Sequence, residues 1–223
     1  MKIHEIKEKS DEQQKILDEI NTLDKVGFID WKKINKAAGY HEDRLYWKDG
    51  KICSHNSLKL GNLDWREIPY PFGLIDGEFS VYKNDLTSLK NCPYRVNEDF
   101  MISDNALESF EGAPKFIGGD CYMGNQAMLE SLHDIHKHFN EIKGGWISIP
   151  PSIKSHILGL VLIKGLVDVT ISASGNPNNN PNKNQTLSKA VSIIQKYLGK
   201  GRSGVLDAQN ELIENDLEDF AKL

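Results

Sequence analysis

The sequence predicts an α/β solenoid: a short stack of repeated coils carrying a parallel sheet, flanked by helical N- and C-terminal caps. Three observations lead there. A block of apolar and turn-forming residues recurs at a step of 21 between Phe79 and Phe110. Apolar stripes at helical spacing precede and follow that block. A β-hairpin signal lies just ahead of it. The boundaries drawn from these patterns are an α/β N-terminal cap over 1–57, a repeat solenoid over 58–149 and an α-rich C-terminal cap over 150–223.

Within the first region, Ser10-Asp11-Glu12-Gln13 fits a capping box, with Ser10 at the N-cap and Gln13 at the matching third helical position. Ile16, Leu17, Ile20 and Leu23 then form one apolar stripe. A shorter helix is expected after Asp30, with Trp31, Ile34 and Ala38 on one face and Gly39 just past its end. Asp49-Gly50 separates two β-prone runs, Leu45 to Lys48 and Lys51 to Cys53, and a tight primed turn needs the positive φ this pair tolerates.

The repeat is explicit in the next region. Phe79-Ser80-Val81-Tyr82-Lys83-Asn84-Asp85-Leu86-Thr87-Ser88-Leu89 aligns, pair by pair at that one step, with Phe100-Met101-Ile102-Ser103-Asp104-Asn105-Ala106-Leu107-Glu108-Ser109-Phe110. Pro93 and Pro114 keep the step, as do Val96 and Ile117. Phe79 and Val81 alternate as in a strand, so both face inward. Asn84 falls at a bend, where its amide can pair with backbone groups the bend leaves unmatched. Leu86 and Leu89 return to the same core. Stacked coils bury a continuous apolar column that no single coil could bury. A looser third unit runs through Gly118-Gly119-Asp120-Cys121-Tyr122 to Asn125. That asparagine falls one position short of a full step after Asn105, as though a residue were missing. A fourth unit is expected to end at Gly144 to Ile149, and Leu58, Leu60, Leu63, Ile68 and Pro69 suggest one ahead of the strict pair.

Leu86-Thr87-Ser88-Leu89, Glu111-Gly112-Ala113-Pro114, Ile117-Gly118-Gly119-Asp120 and Ile68-Pro69-Tyr70-Pro71-Phe72-Gly73 resemble the repeats of leucine-rich-repeat-type proteins of large tailed bacteriophages. The runs Leu158 to Leu166 and Gln209 to Glu214 resemble the closing segment of such proteins, so the resemblance spans about residues 45 to 223. The chain departs from the pattern at Cys121, where an aromatic is usual, and in the shortened turn before Asn125. The resemblance implies a leucine-rich-repeat-like solenoid. It implies little about activity, because these proteins are mostly uncharacterised.

For the last region, Pro150-Pro151-Ser152-Ile153 suits a helix start, and the apolar run Ile157 to Ile163 extends that helix to about Lys164. The run is too short to span a bilayer. Leu166 to Ile171 alternates as a strand. The Asn-rich stretch 175–186 is expected to be a mobile loop. Two helices follow, near 187–198 and 206–222, with Leu206, Ile213, Leu217 and Phe220 as the inward stripe of the second. Gly199 to Gly204 is expected to be a flexible turn between them.

The candidate binding residues come from strand alternation. If Phe79 and Phe100 point in, their neighbours point out. Glu78, Asp99 and Asp120 form one outward column, Ser80, Met101 and Tyr122 a second, and Tyr82 and Ser103 part of a third. Three stacked carboxylates repel unless neutralised. The column fits a recognition surface for a basic partner or a divalent cation, or else a solvated face balanced by nearby Lys and Arg.

His133, His136 and His138 form the one dense histidine group, but without a His-Glu-x-x-His spacing, so no metal site is assigned. No phosphate-binding glycine loop and no Gly-x-Ser-x-Gly elbow is present. No cofactor is expected. The net charge of −5 argues against a sequence-independent nucleic-acid binder, although a local basic patch is compatible with it. Cys53, Cys92 and Cys121 are an odd set without metal-like pairing and read as reduced thiols. The expectation is therefore a non-catalytic, phage-encoded protein–protein interaction module, acting in the host cytoplasm or within the virion. It would bind a host factor, such as a defence component, or a viral partner. The alternatives are a structural virion component and an enzyme whose site carries no familiar motif.

Overall fold

The computed structural model describes Ile34, residues 45–172 and residues 184–223. The expected helices around residues 10–23 and 31–38, Ile34 apart, and the Asn-rich stretch as far as residue 183 lie outside the described residues. Ile34 is fully buried against the core.

The chain winds into a parallel-strand solenoid of about six turns, with two sheets of six strands rather than one. Sheet A holds β1 (Leu45–Lys48), β2 (Lys51–Ser54), β4 (Phe72–Ile75), β6 (Arg95–Val96), β8 (Phe116–Ile117) and β10 (Glu141–Ile142). Sheet B holds β3 (Leu58–Lys59), β5 (Phe79–Ser80), β7 (Phe100–Met101), β9 (Cys121–Tyr122), β11 (Trp146–Ile149) and β12 (Asp168–Ile171). All pairings are parallel except β1 with β2, the hairpin turned by Asp49 and Gly50 at φ of 52° and 71°. Two positive φ values in a two-residue loop are what a type I′ turn requires.

Registry follows the repeat. Leu58, Phe79, Phe100 and Cys121 lie side by side in sheet B at steps of 21, and the step widens to 26 at Ile147. Ile75, Val96 and Ile117 do the same in sheet A. All of these side chains are buried, and so are Leu86, Leu89, Leu107 and Phe110 on the third side of each coil. The rings of Phe79 and Phe100 stack at 6.3 Å between centroids, inclined by 18°. Each such phenyl removed from water contributes about 1.5–3 kcal/mol.

The central coils each bend through two left-handed residues, and the coils before and after them keep one of the two. The first series is Asn62, Lys83, Asp104 and Asn125, and the second is Asn91, Gly112, Asp134 and His156, all with φ between 50° and 85°. Asn, Asp, Gly and His dominate because they tolerate that region best. This corrects the register expected for the third coil. Asn125 is the left-handed turn residue. Gln126, one full repeat step after Asn105 and buried, fills the inward amide position. Nothing is missing before that point. An extra residue lies instead between Gln126 and Leu129, which falls one position beyond a full step from Leu107.

The later part of the chain departs from expectation. Residues 150–157 form turns and a bridge from Ser155 to Ser131, and only Leu158–Leu162 is helical, as a 3-10 turn. Here the apolar run stacks onto the previous coil, so a continuous helix from 150 to 164 does not form. After α1 (Ile135–His138), two longer helices occur, α2 (Gln185–Gln195) and α3 (Gly201–Glu214). Asn184 caps α2 by accepting the Leu187 N–H at 3.0 Å. Gln195 at its far end donates to Val169 O on β12 at 3.0 Å. Gly201 to Gly204 open α3 instead of forming a free turn. The buried face of α3 is Gly204, Ala208 and Leu212, while Leu206 and Ile213 are exposed. Leu217 and Phe220 are buried, but in the turns that follow the helix.

Candidate binding surface

The outward face of sheet B carries the residues singled out above. The column before the strands reads Glu78, Asp99, Asp120 and then Trp146, with neighbouring strands about 4.8 Å apart. Its carboxylates are not simply solvated. Glu78 meets Lys59 at 3.4 Å. Asp99 Oδ1 accepts the Asp120 N–H at 2.9 Å, and Asp120 Oδ1 accepts the Trp146 N–H at 3.1 Å. Each of these two side chains lies along the stack and ties its coil to the next. Glycines make the room: a Cβ on Gly119 would sit 2.2 Å from Asp99 Oδ1, and one on Gly144 would sit 2.3 Å from Asp120 Oδ1.

Two of the three carboxylates of that column remain without a counter-charge. Among the described residues neither Asp99 nor Asp120 has a cationic partner, and the second oxygen of each is free. Burial pushes the Asp120 carboxyl above its ordinary value, the Trp146 N–H pulls it back, and Asp99 pushes it up again. Tyr122 is raised by burial first, then by Asp99, Asp120 and Glu78, so its hydroxyl stays a neutral donor. The Tyr122 and Trp146 rings meet edge to face at 4.8 Å. Met101 sits beside Tyr122 in the same register, half-buried.

Two expected contact residues are not available at the surface. Ser80 and Ser103 are 1% and 4% exposed. Both point outward in register, but a serine is short. Ser80 sinks between Lys59 and Met101, its partners in the ladder. Ser103 sinks in the column that also holds Tyr82, and its hydroxyl has no hydrogen-bond partner. Tyr82 is half-buried because its ring lies on Gly61, where a Cβ would come within 2.5 Å of it. The accessible set is thus Glu78, Tyr82, Asp99, Met101, Asp120 and Tyr122, joined by Lys59 and Trp146. Lys59 stands one repeat step before Ser80 and is legible from the repeat, whereas the widened step at the next coil conceals Trp146.

The histidines do not converge. His133 precedes α1, with Nδ1 3.0 Å from Leu223 O and its ring 5.0 Å from that of His156. His138 packs on Phe110. Burial lowers both His136 and His138 from the ordinary imidazole range. Among the described residues no three His, Cys, Asp or Glu side chains are placed to hold a metal ion, and no helix is long and apolar enough to cross a membrane. Comparison of the chain with protein-family models, with curated proteins and with solved structures finds no match.

Proposed function

We propose that this chain is a non-catalytic protein-interaction module that holds a partner protein against the outward face of sheet B, the partner supplying a basic segment. The observation that carries the reading is the pair Asp99 and Asp120. Two half-buried carboxylates on adjacent strands, each with a free oxygen, are costly to keep without a counter-charge. Met101, Tyr122 and Trp146 beside them are side-chain types enriched at protein interfaces. A guanidinium fits both needs, since it pairs with carboxylates and stacks on aromatic rings. Solenoids characteristically offer such extended, rigid faces.

We further read the coils as leucine-rich-repeat type, with α2 and α3 as the C-terminal cap of the stack. The repeat motifs support the first point and the Gln195 contact on β12 supports the second. With the bacteriophage resemblance, the partner would be a host factor met in the host cytoplasm or another viral protein.

The test is affinity capture from infected cells with the wild-type chain and with Asp99→Asn, Asp120→Asn. Asparagine keeps the Oδ1 acceptors that tie the coils, which Asp99→Lys would remove, and deletes only charge. One protein held by the wild type and lost by the variant, with both folded, is the expected result. Equal retention by both sinks this surface.

A second reading, a structural particle component docking through its helical end, draws on Leu206 and Ile213, exposed about two turns apart on one side of α3. Abundance of the chain in purified particles, lost on Leu206→Ser with Ile213→Ser, would favour it.

A further inference from the structure

Sheet A differs sharply in charge from sheet B. On its outward side Arg95, Phe116 and Glu141 lie in register on successive coils, and Lys164 continues the register beside Glu141 through a backbone β-bridge. Lys115 and Lys143 flank that line, just before β8 and just after β10. Lys59, Lys90, Lys137, Lys154, Lys196 and Lys222 are each paired with a carboxylate elsewhere on the molecule. Among the described residues Arg95, Lys115, Lys143 and Lys164 have no carboxylate partner; Lys48, Lys51, Arg66, Lys83, Lys189, Lys200 and Arg202 have none either, but these four line successive coils of one sheet, and Lys115 Nζ donates to Lys137 O. Glu141, half-buried, is the acid in their midst.

An aromatic platform sits at the same place. Tyr94 is 55% exposed. Its ring meets that of Phe116 at 5.5 Å, and the Arg95 guanidinium lies 4.6 Å from the centre of the Phe116 ring. The guanidinium is therefore held over an aromatic face and still carries its full charge. Cations at each coil, beside an exposed ring, are the ingredients of single-strand binding, in which lysines follow the phosphates and a base stacks on the aromatic. The cationic part of the face, on β6, β8 and β10, bears two-residue parallel strands rather than a helix or an antiparallel ribbon that could enter a duplex groove; the one ribbon of the sheet, β1–β2, lies beyond β4. An acidic peptide could use the cations but leaves Tyr94 without a role.

We propose that the outward face of sheet A binds single-stranded nucleic acid, with a base stacked on Tyr94 and phosphates held by Arg95, Lys115, Lys143 and Lys164. The overall negative charge of the chain then disfavours binding elsewhere and orients the strand to this face. The site is independent of the sheet B surface.

Fluorescence anisotropy with labelled oligo(U) and oligo(dT) of about 15 nucleotides tests it. Micromolar binding at low salt is expected. Four neutralised phosphates give a slope of about −3 in log affinity against log salt. Tyr94→Ala should weaken binding about tenfold and leave the slope unchanged. Lys115→Glu with Lys143→Glu should weaken it more than that and flatten the slope. Lys115→Gln with Lys143→Gln replaces that pair if the glutamates impair folding. Asp99→Asn, Asp120→Asn should bind like the wild type. No binding, equal affinity for a duplex or for poly-glutamate, or wild-type affinity in the Tyr94 and lysine variants would each overturn the proposal.

Discussion

Gln126 repeats, one coil later, the hydrogen bond that Asn105 makes: Asn105 Nδ2 donates to Val81 O at 3.1 Å, and Gln126 Nε2 donates to Ile102 O at 2.6 Å. Each also accepts from the return segment of the preceding coil, Asn105 Oδ1 from the Leu86 N–H and Gln126 Oε1 from the Leu107 N–H. Asn84 does the same at the coil before, donating to Leu60 O and accepting from Leu63 and Trp65. An amide is needed because one side chain must both donate and accept in a buried bend.

Asn105→Ala therefore strands the buried Leu86 N–H, while the carbonyls of Val81 and Ile102 each lose one donor and keep another, from Asn84 and Gln126. A buried orphan costs about 1–3 kcal/mol, so a loss of that size is expected. Urea unfolding checks it, with the exposed Thr87→Ala as a control that should change little. A loss below that of the control would remove the amide ladder from the stability of the stack.

The left-handed turns make the opposite kind of prediction. Lys83 sits at φ of 50°, where the equivalent positions of other coils hold Asn62 and Asn125. Its side chain is exposed. Lys83→Asn should stabilise the fold by up to about 1 kcal/mol, because asparagine tolerates this region better. Lys83→Val should destabilise it. Thermal unfolding of the two variants in parallel reads the sign, and a stabilised valine variant would contradict the turn assignment.

The sequence shows the coil step, the hairpin and the inward residues of sheet B without difficulty, since Phe79 and Phe100 head two matching patterns. Sheet A is harder. Val96 and Ile117 keep the step, but strands of two residues offer no alternation to separate them from turns. The third coil misleads because Asn125 is the commoner turn residue and Gln126 the less familiar ladder residue. At Leu158–Leu162 the apolar run is consistent with a buried helix, and only stacking on the neighbouring coil selects the short 3-10 turn. The acidic column is legible as a column, but its coupling to backbone N–H groups depends on registry between coils.

A pH dependence follows from Asp120. Its folded carboxyl titrates above the ordinary value of 3.8, so between the two values the folded chain holds the proton more tightly than the unfolded one. Stability then falls as pH rises through that window, and the full penalty is present above it. Asp120→Asn should raise the unfolding midpoint at neutral pH, and the advantage should vanish as pH falls below the ordinary value. A lowered midpoint at neutral pH would show that the carboxylate serves the fold rather than a partner.

The three cysteines give a simpler test. Cys53, Cys92 and Cys121 are free and buried. Burial raises the Cys92 thiol well above its usual range, and burial followed by Asp120 and Asp99 does the same for Cys121. A thiol-specific disulfide reagent should label the native chain slowly and all three residues after denaturation. Rapid labelling of Cys121 in the native state would contradict its place in the core column.

Photo-crosslinking tests the binding proposal most directly. A photoreactive residue replaces Tyr122 on sheet B or, as a control, the exposed Thr87 on the third side of the coil. A discrete crosslinked partner is expected from position 122, absent from position 87 and lost when Asp99→Asn and Asp120→Asn are added. Crosslinks of equal yield from both positions, or a position-122 product that persists without the two carboxylates, would contradict it.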